Sequence, residues 1–161
     1  MSPRAAAPTL DRVVADFSLP GTASAPFSLR AQRGQAVVLY FYPRDNTPGC
    51  TLEGQDFQRL LPAFKRAGAR VFGISRDTLA SHHKFCDKFG FGFELLADED
   101  GAVCKQFDVI RMKNMYGRQV RGIERSTFVI DRAGRIAHEW RGVKVPGHAQ
   151  EVLDFIRSTE L

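Results

Sequence analysis

The chain has 161 residues, 43% of them hydrophobic and 25% charged, with three Cys and one Trp. That is the size of one domain with room for a core, and it excludes a disordered chain, a collagen-like repeat and a disulfide framework. The net charge of +5 is gathered only around Arg111, Lys113, Arg118, Arg121 and Arg125, with Tyr116 the sole aromatic among them. No nucleic-acid partner is expected from so short a basic stretch.

Residues 1–15 read as a small, polar, flexible lead-in, and 16–161 as a single domain. Met1–Pro8 lacks the apolar segment of a secretory signal, so a cytoplasmic address is expected. Phe17-Ser-Leu and Phe27-Ser-Leu flank a Pro/Gly/Ser-rich turn and predict a β-hairpin. Ala36–Tyr42 is the longest apolar run. It is far below the roughly 18 residues of a membrane span, so no membrane association is expected. Its lack of alternation predicts a strand buried on both faces.

A helix is predicted over 50–67, with Leu52, Phe57, Leu60, Leu61 and Phe64 on its apolar positions, Pro62 as a kink and Gly68 as its stop. Arg70–Ser75 is the next strand. Asp77 or Thr78 caps a second helix that runs to Phe89 and ends at Gly90. A strand over 93–97 and a short helix over 102–107 follow, then a basic loop, 111–121. Ile123–Ile130 and Arg135–Trp140 predict two strands about a turn with Gly134, and 148–158 a final helix. The order is a β-hairpin, then βαβαβα, then ββα. It implies an α/β, thioredoxin-like fold: a mixed central sheet flanked by helices, with an N-terminal β-hairpin.

Pro43-Arg-Asp-Asn-Thr47-Pro-Gly-Cys50 joins the carboxyl end of the buried strand to the start of a helix, where ligands bind in open α/β sheets. A Cys in the first turn of a helix faces unpaired N–H groups and partial positive charge, which favour thiolate, the nucleophilic form. Read alone, such a Cys is more often a small buried hydrophobe, and the flanking Pro43, Thr47 and Pro48 shift the balance toward the nucleophile. His82, His83 and Cys86 have helical spacing compatible with metal ligands, but no further Cys/His pair completes a set. No metal and no cofactor are expected. Cys104, between Val103 and Phe107, reads as a packed free thiol.

Pro-x-x-x-Thr-x-x-Cys, here Pro43, Thr47 and Cys50, resembles the active-site signature of the peroxiredoxins. Thr51 and Glu53, Met115-Tyr-Gly117, and Gly122–Asp131 are similar to the bacterioferritin-comigratory (PrxQ) branch, a likeness running from about Phe17 to Ile156. The resemblance implies a thiol-dependent peroxidase acting on hydrogen peroxide and organic hydroperoxides. Cys50 would be the peroxidatic nucleophile, and Thr47 would accept from it or donate to peroxide oxygen. Pro43 would shield the sulfur, and Arg125 would favour thiolate and stabilise charge on the leaving oxygen. Thr47, Cys50 and Arg125 would together hold the substrate. Glu53, one helical turn after Cys50, either shares the site or complements the helix N-terminus.

Sulfenic acid formed on Cys50 must be resolved. Many members of the branch place a second Cys five residues on, but Gln55 stands there. Others carry it on the next helix, which matches Cys86 as the resolving residue. Leu79, His82 or His83, Cys86 and Phe89 also form a helical stripe, so a core role for Cys86 stands beside the resolving one. Recycling by thioredoxin or glutaredoxin is implied. A monomer is expected, because the family's disulfide-linked dimers use a Cys near the C-terminus and none follows Cys104. Two other classes stay open: a disulfide oxidoreductase, which would want a Cys-x-x-Cys that Cys50 lacks, and a redox sensor or holdase switched through Cys50.

Overall fold

The structure, a computed structural model, describes residues 10–161. Two short strands, β1 (Ser18–Leu19) and β2 (Phe27–Ser28), pair antiparallel as the expected hairpin. There follow β3 (Ala36–Phe41), α1 (Pro48–Arg66), β4 (Ala69–Ser75), α2 (Leu79–Phe89), β5 (Glu94–Ala97) and α3 (Ala102–Gln106). The last part holds β6 (Ile110–Met115), β7 (Arg118–Ile123), β8 (Ser126–Ile130), β9 (Ile136–Arg141) and α4 (His148–Ser158).

Five strands form the central sheet in the order β5-β4-β3-β8-β9. β3, β4 and β5 run parallel, and β8 and β9 add antiparallel pairs, so the sheet is mixed. All six residues of β3 are buried, as a strand at the centre of a covered sheet requires. One face carries α1, α2 and α4 over Tyr40, Tyr42, Phe57, Phe64, Phe85, Leu95, Val152 and Ile156. There Tyr40 stacks on Phe57, centroids 4.6 Å apart at 14°. The other face packs Phe27, Leu39, Phe41, Phe72, Phe107, Val109 and Phe128 beneath α3 and the N-terminal hairpin. Deleting a ring such as Phe57 from so closed a layer would cost about 3–5 kcal/mol.

Helix ends follow their sequence signals. Thr78 caps α2 by accepting from Ser81 N–H at 3.1 Å. Gly90 closes the helix with φ 69°, a left-handed position where glycine carries no penalty. Among the described residues no helix is long and apolar enough to cross a membrane.

Three expectations are corrected. Residues 1–9 of the expected lead-in lie outside the described residues, but 10–15 are not loose. Asp11 N–H bonds Ile136 O at 2.8 Å, Val14 N–H bonds Gly134 O at 2.9 Å, and Val14 is buried in the second core layer. The basic loop is instead the β6–β7 hairpin, turned by Tyr116 (φ 53°) and Gly117 (φ 77°), the positive pair that a two-residue hairpin turn requires. It stands off the main sheet and is largely exposed, so no buried face imposes apolar alternation on its sequence. The single strand expected over 123–130 is broken at Glu124 and Arg125, where the chain leaves the hairpin for the central sheet.

Candidate active site

The site lies at the carboxyl end of β3, where the chain passes Pro43 and a short loop into α1. Thr47 is the extended residue that precedes α1, Pro48 occupies its first turn, and Cys50 follows within that turn. Proline suits this position because its missing N–H would have had no helical partner. Cys50 is buried, 2% exposed.

Arg125 reaches the sulfur from the break between β7 and β8. Its Nη2 donates to Cys50 Sγ at 3.4 Å, and its Nη1 donates to Glu53 Oε1 at 2.6 Å. One guanidinium therefore holds a thiol and a carboxyl one helical turn apart. The break places the Arg125 backbone outside both strand ladders. Gly49 keeps its path open, since a Cβ there would stand 3.3 Å from Nη2. Backbone on both sides anchors the arginine: Glu124 N–H bonds Val109 O at 2.7 Å and Val143 N–H bonds Arg125 O at 2.9 Å.

Glu53 belongs to the site rather than merely to the helix N-terminus. It is 1% exposed, and its Oε2 has no partner. Burial raises its carboxyl to about 7 against the opposing pull of Arg125. Around neutral pH this side chain thus changes between neutral and charged forms directly beside the arginine. Burial lowers Lys113, on β6, and Arg125 lowers it further, while Cys50 pulls in the opposite direction.

Thr47 is half-buried, and its hydroxyl donates to Arg44 O at 2.9 Å, which leaves its lone pairs as acceptors. Pro43 is half-buried just beyond β3. Cys86 sits in the last turn of α2, half-buried against the same core layer as Cys50. Burial raises its thiol to about 11. All three cysteines are free. Cys104 is fully buried on the opposite face, and burial together with neighbouring Asp98 drives its thiol well up. His82 and His83 point apart, the first fully buried and the second exposed, so the His82, His83 and Cys86 set does not converge.

The buried His148 and the partner of His82 escaped the sequence. His148 opens α4, its Nε2 lies 2.7 Å from Thr127 Oγ1, and burial lowers it to about 4, leaving it neutral. His82 is bonded to Asp45, 37 residues away in the chain. No local pattern signals a pairing of that span.

A buried thiol at a helix start, facing a guanidinium that a neighbouring carboxyl holds in place, suits nucleophilic attack in which negative charge develops on a departing atom. The model of the AhpC/TSA family matches residues 10–139. The chain is 52% identical to the peroxiredoxin Bcp of Xanthomonas campestris over 151 residues, 92% of this chain and 94% of that protein. The solved PrxQ of Xylella fastidiosa, a cysteine-to-serine variant, superposes with TM-score 0.90 at 45% identity, covering 95% of this chain and 98% of that one. The X. campestris bacterioferritin comigratory protein, described for its alkyl peroxide reduction, gives TM-score 0.84 at 50% identity over 88% and 90% of the two chains.

Proposed function

The chain belongs to the AhpC/TSA family, in the Bcp/PrxQ branch of the peroxiredoxins, and from that premise we propose how its own residues carry out the reaction. It is a thiol-dependent peroxidase that reduces hydroperoxides through a peroxidatic cysteine. Cys50 is that cysteine. The observation that carries this reading is the Arg125 Nη2 contact with Cys50 Sγ in the first turn of α1.

Cys50 thiolate attacks the terminal oxygen of the hydroperoxide. The S–O bond forms as the O–O bond breaks, and the alkoxide or hydroxide leaves and takes up a proton. Arg125 stabilises negative charge on the sulfur and then on the departing oxygen, while the Thr47 hydroxyl, which donates to Arg44 O, keeps its lone pairs to accept the reacting proton. Pro43 limits water at the sulfur. Alkyl hydroperoxides and hydrogen peroxide are the substrates.

Cys86 thiolate then attacks the Cys50 sulfenic acid, forming the disulfide and releasing hydroxide, which becomes water. Its place in the same core layer as Cys50 supports this role over Cys104, which the sheet separates from the site. A dithiol reductant, thioredoxin or glutaredoxin, recycles the disulfide, and the enzyme works as a cytoplasmic monomer. Cys50→Ser is expected to abolish peroxide turnover with a dithiol donor, and near-normal turnover would end this reading. Peptide mapping after one equivalent of peroxide should show Cys50 joined to Cys86. A Cys50–Cys104 link, a disulfide-linked dimer, or full thioredoxin-linked activity in Cys86→Ser would reassign the resolving step.

A further inference from the structure

The loop that leads into the Cys50 helix is tied to the helix that carries Cys86. Asp45, in that loop, is buried and both its carboxylate oxygens are engaged. Oδ1 accepts from Tyr42 OH at 2.5 Å, and Oδ2 accepts from Ser81 Oγ at 2.8 Å and pairs with His82 Nδ1 at 2.7 Å. His82 is fully buried, and its Nε2 donates to Leu96 O at 2.9 Å. Both ring nitrogens of His82 thus face acceptors, and the Nδ1 contact with Asp45 ties the loop to the helix inside the protein.

Weaker ties run alongside. Asp45 N–H donates to Asp77 Oδ2 at 2.9 Å, Ser75 Oγ donates to the same oxygen at 2.5 Å, and Lys88 Nζ donates to Asn46 Oδ1 at 3.2 Å. Cys86 lies one helical turn after His82, in the last turn of α2. Peroxide reduction needs none of these groups at the sulfur. Disulfide formation draws on both segments, because Cys86 is packed in the last turn of α2 and Cys50 is buried in the first turn of α1, and a disulfide needs Cα atoms about 4.4–6.8 Å apart.

We propose that the Asp45–Ser81–His82 cluster is a latch on the resolving step. It holds the Cys86 helix and the Cys50 loop together in the reduced fold, and its strength sets how fast Cys86 reaches the Cys50 sulfenic acid. These are positioning residues, and the proposal rests on Cys86 being the resolving thiol. While the latch holds, sulfenic acid stays in the site and is open to a second peroxide, which oxidises it to sulfinic acid with loss of the peroxide's O–O bond. Once the latch opens, the disulfide forms and water leaves. The balance between disulfide and sulfinic acid therefore reads the latch.

The test uses the full chain with Ser81→Ala, Asp45→Asn and Val103→Ala, the last a destabilising control in the core layer on the far side of the sheet. Ser81→Ala removes one hydrogen bond and keeps the Asp45–His82 pair, so the test survives if Asp45→Asn does not fold. In reduced protein, amides of residues 79–90 should exchange about tenfold faster in Asp45→Asn, the loss expected for a hydrogen bond to a charged group. Ser81→Ala should show a smaller rise, and Val103→Ala none beyond its global destabilisation. At a fixed peroxide excess the ratio of disulfide to sulfinic acid should rise in the same order. The rate of sulfenic acid formation, measured in a Cys86→Ser background, should stay unchanged. Exchange and product ratio equal to wild type in both latch variants, or a ratio moved equally by Val103→Ala, overturns the latch. Absence of a Cys50–Cys86 disulfide in wild type overturns the resolving role instead, and the exchange measurement on reduced protein tells the two failures apart.

Discussion

The two faces of the central sheet each bury a cysteine, and the surroundings of Cys50 and Cys104 differ in everything except burial. Cys50 is 2% exposed and Cys104 is 0% exposed. Cys50 meets a guanidinium at 3.4 Å at a helix start, whereas Cys104 lies on α3 with its backbone N–H held by the Asp98 carboxylate at 2.7 Å. Burial and Asp98 both drive the Cys104 thiol up, and Arg76 offsets them only in part. The two buried thiols thus differ in the charge that reaches them, a guanidinium at Cys50 and a carboxylate at Cys104. Cys86 lies between these cases, half-buried, on the Cys50 face and raised to about 11 by burial.

The sharpest way to break this contrast is to exchange the roles. Cys50→Ser should lose all peroxide turnover, while Cys104→Ser should keep it at nearly the wild-type rate. In the native protein Cys104 should resist alkylation under conditions that label Cys50. Loss of turnover in Cys104→Ser with the fold intact would show that the two faces are not chemically separate.

Arg125→Ala should slow the peroxide step by about 10²–10³-fold, the usual loss for one preorganised donor at a developing charge. Arg125→Lys should restore only part of it, since an ammonium does not span Cys50 and Glu53 as the fork does. Stopped-flow consumption of peroxide by reduced enzyme reads both, and a lysine variant at full rate would mean that only the charge matters.

Glu53 refines the picture by pH. Its carboxyl is raised from 4.5 to about 7, so the folded protein keeps a proton that the unfolded chain loses between those values. Folding stability from this group is therefore intact below 4.5 and falls as pH rises toward 7. Glu53→Gln should remove an inflection near 7 from the pH–rate profile, and it should gain stability relative to wild type at pH 8 compared with pH 5. A profile unchanged by the substitution would place the ionisation elsewhere.

His148 gives the smallest expected effect and the opposite sign. It is lowered from 6.5 to about 4, so its neutral form is held in the fold, and its contribution is full above 6.5 and lost as pH falls toward 4. The loss should be about 2 kcal/mol once partial solvent screening is allowed for. Denaturant unfolding of wild type and His148→Gln at pH 7 and pH 4.5 should show their difference shrinking at the lower value.

Much of the fold, and the turn that carries the candidate site, were legible in the chain. The unbroken apolar run of β3, the Thr78 and Gly90 signals of α2 and the Gly134 turn are local, and local backbone preferences placed them within a residue or two. Pro43, Thr47 and Cys50 lie within one strand-to-helix turn, so their neighbourhood is set by the chain itself. The β6–β7 hairpin was missed because both its faces meet solvent, which removes the alternation that marks a strand.

What the sequence determined alone is therefore what neighbours along the chain decide: the helix start that presents Cys50, the strands of the sheet and the caps that end the helices. Only the tertiary structure decided that the Arg125 expected beside Cys50 also holds Glu53, that Cys86 and Cys104 fall on opposite sides of the sheet, and that Asp45 is locked to His82. Those pairings join residues tens of positions apart, and electrostatic contact depends on distance in space. A carboxylate or guanidinium carries no mark in the sequence of the partner that will share its buried site.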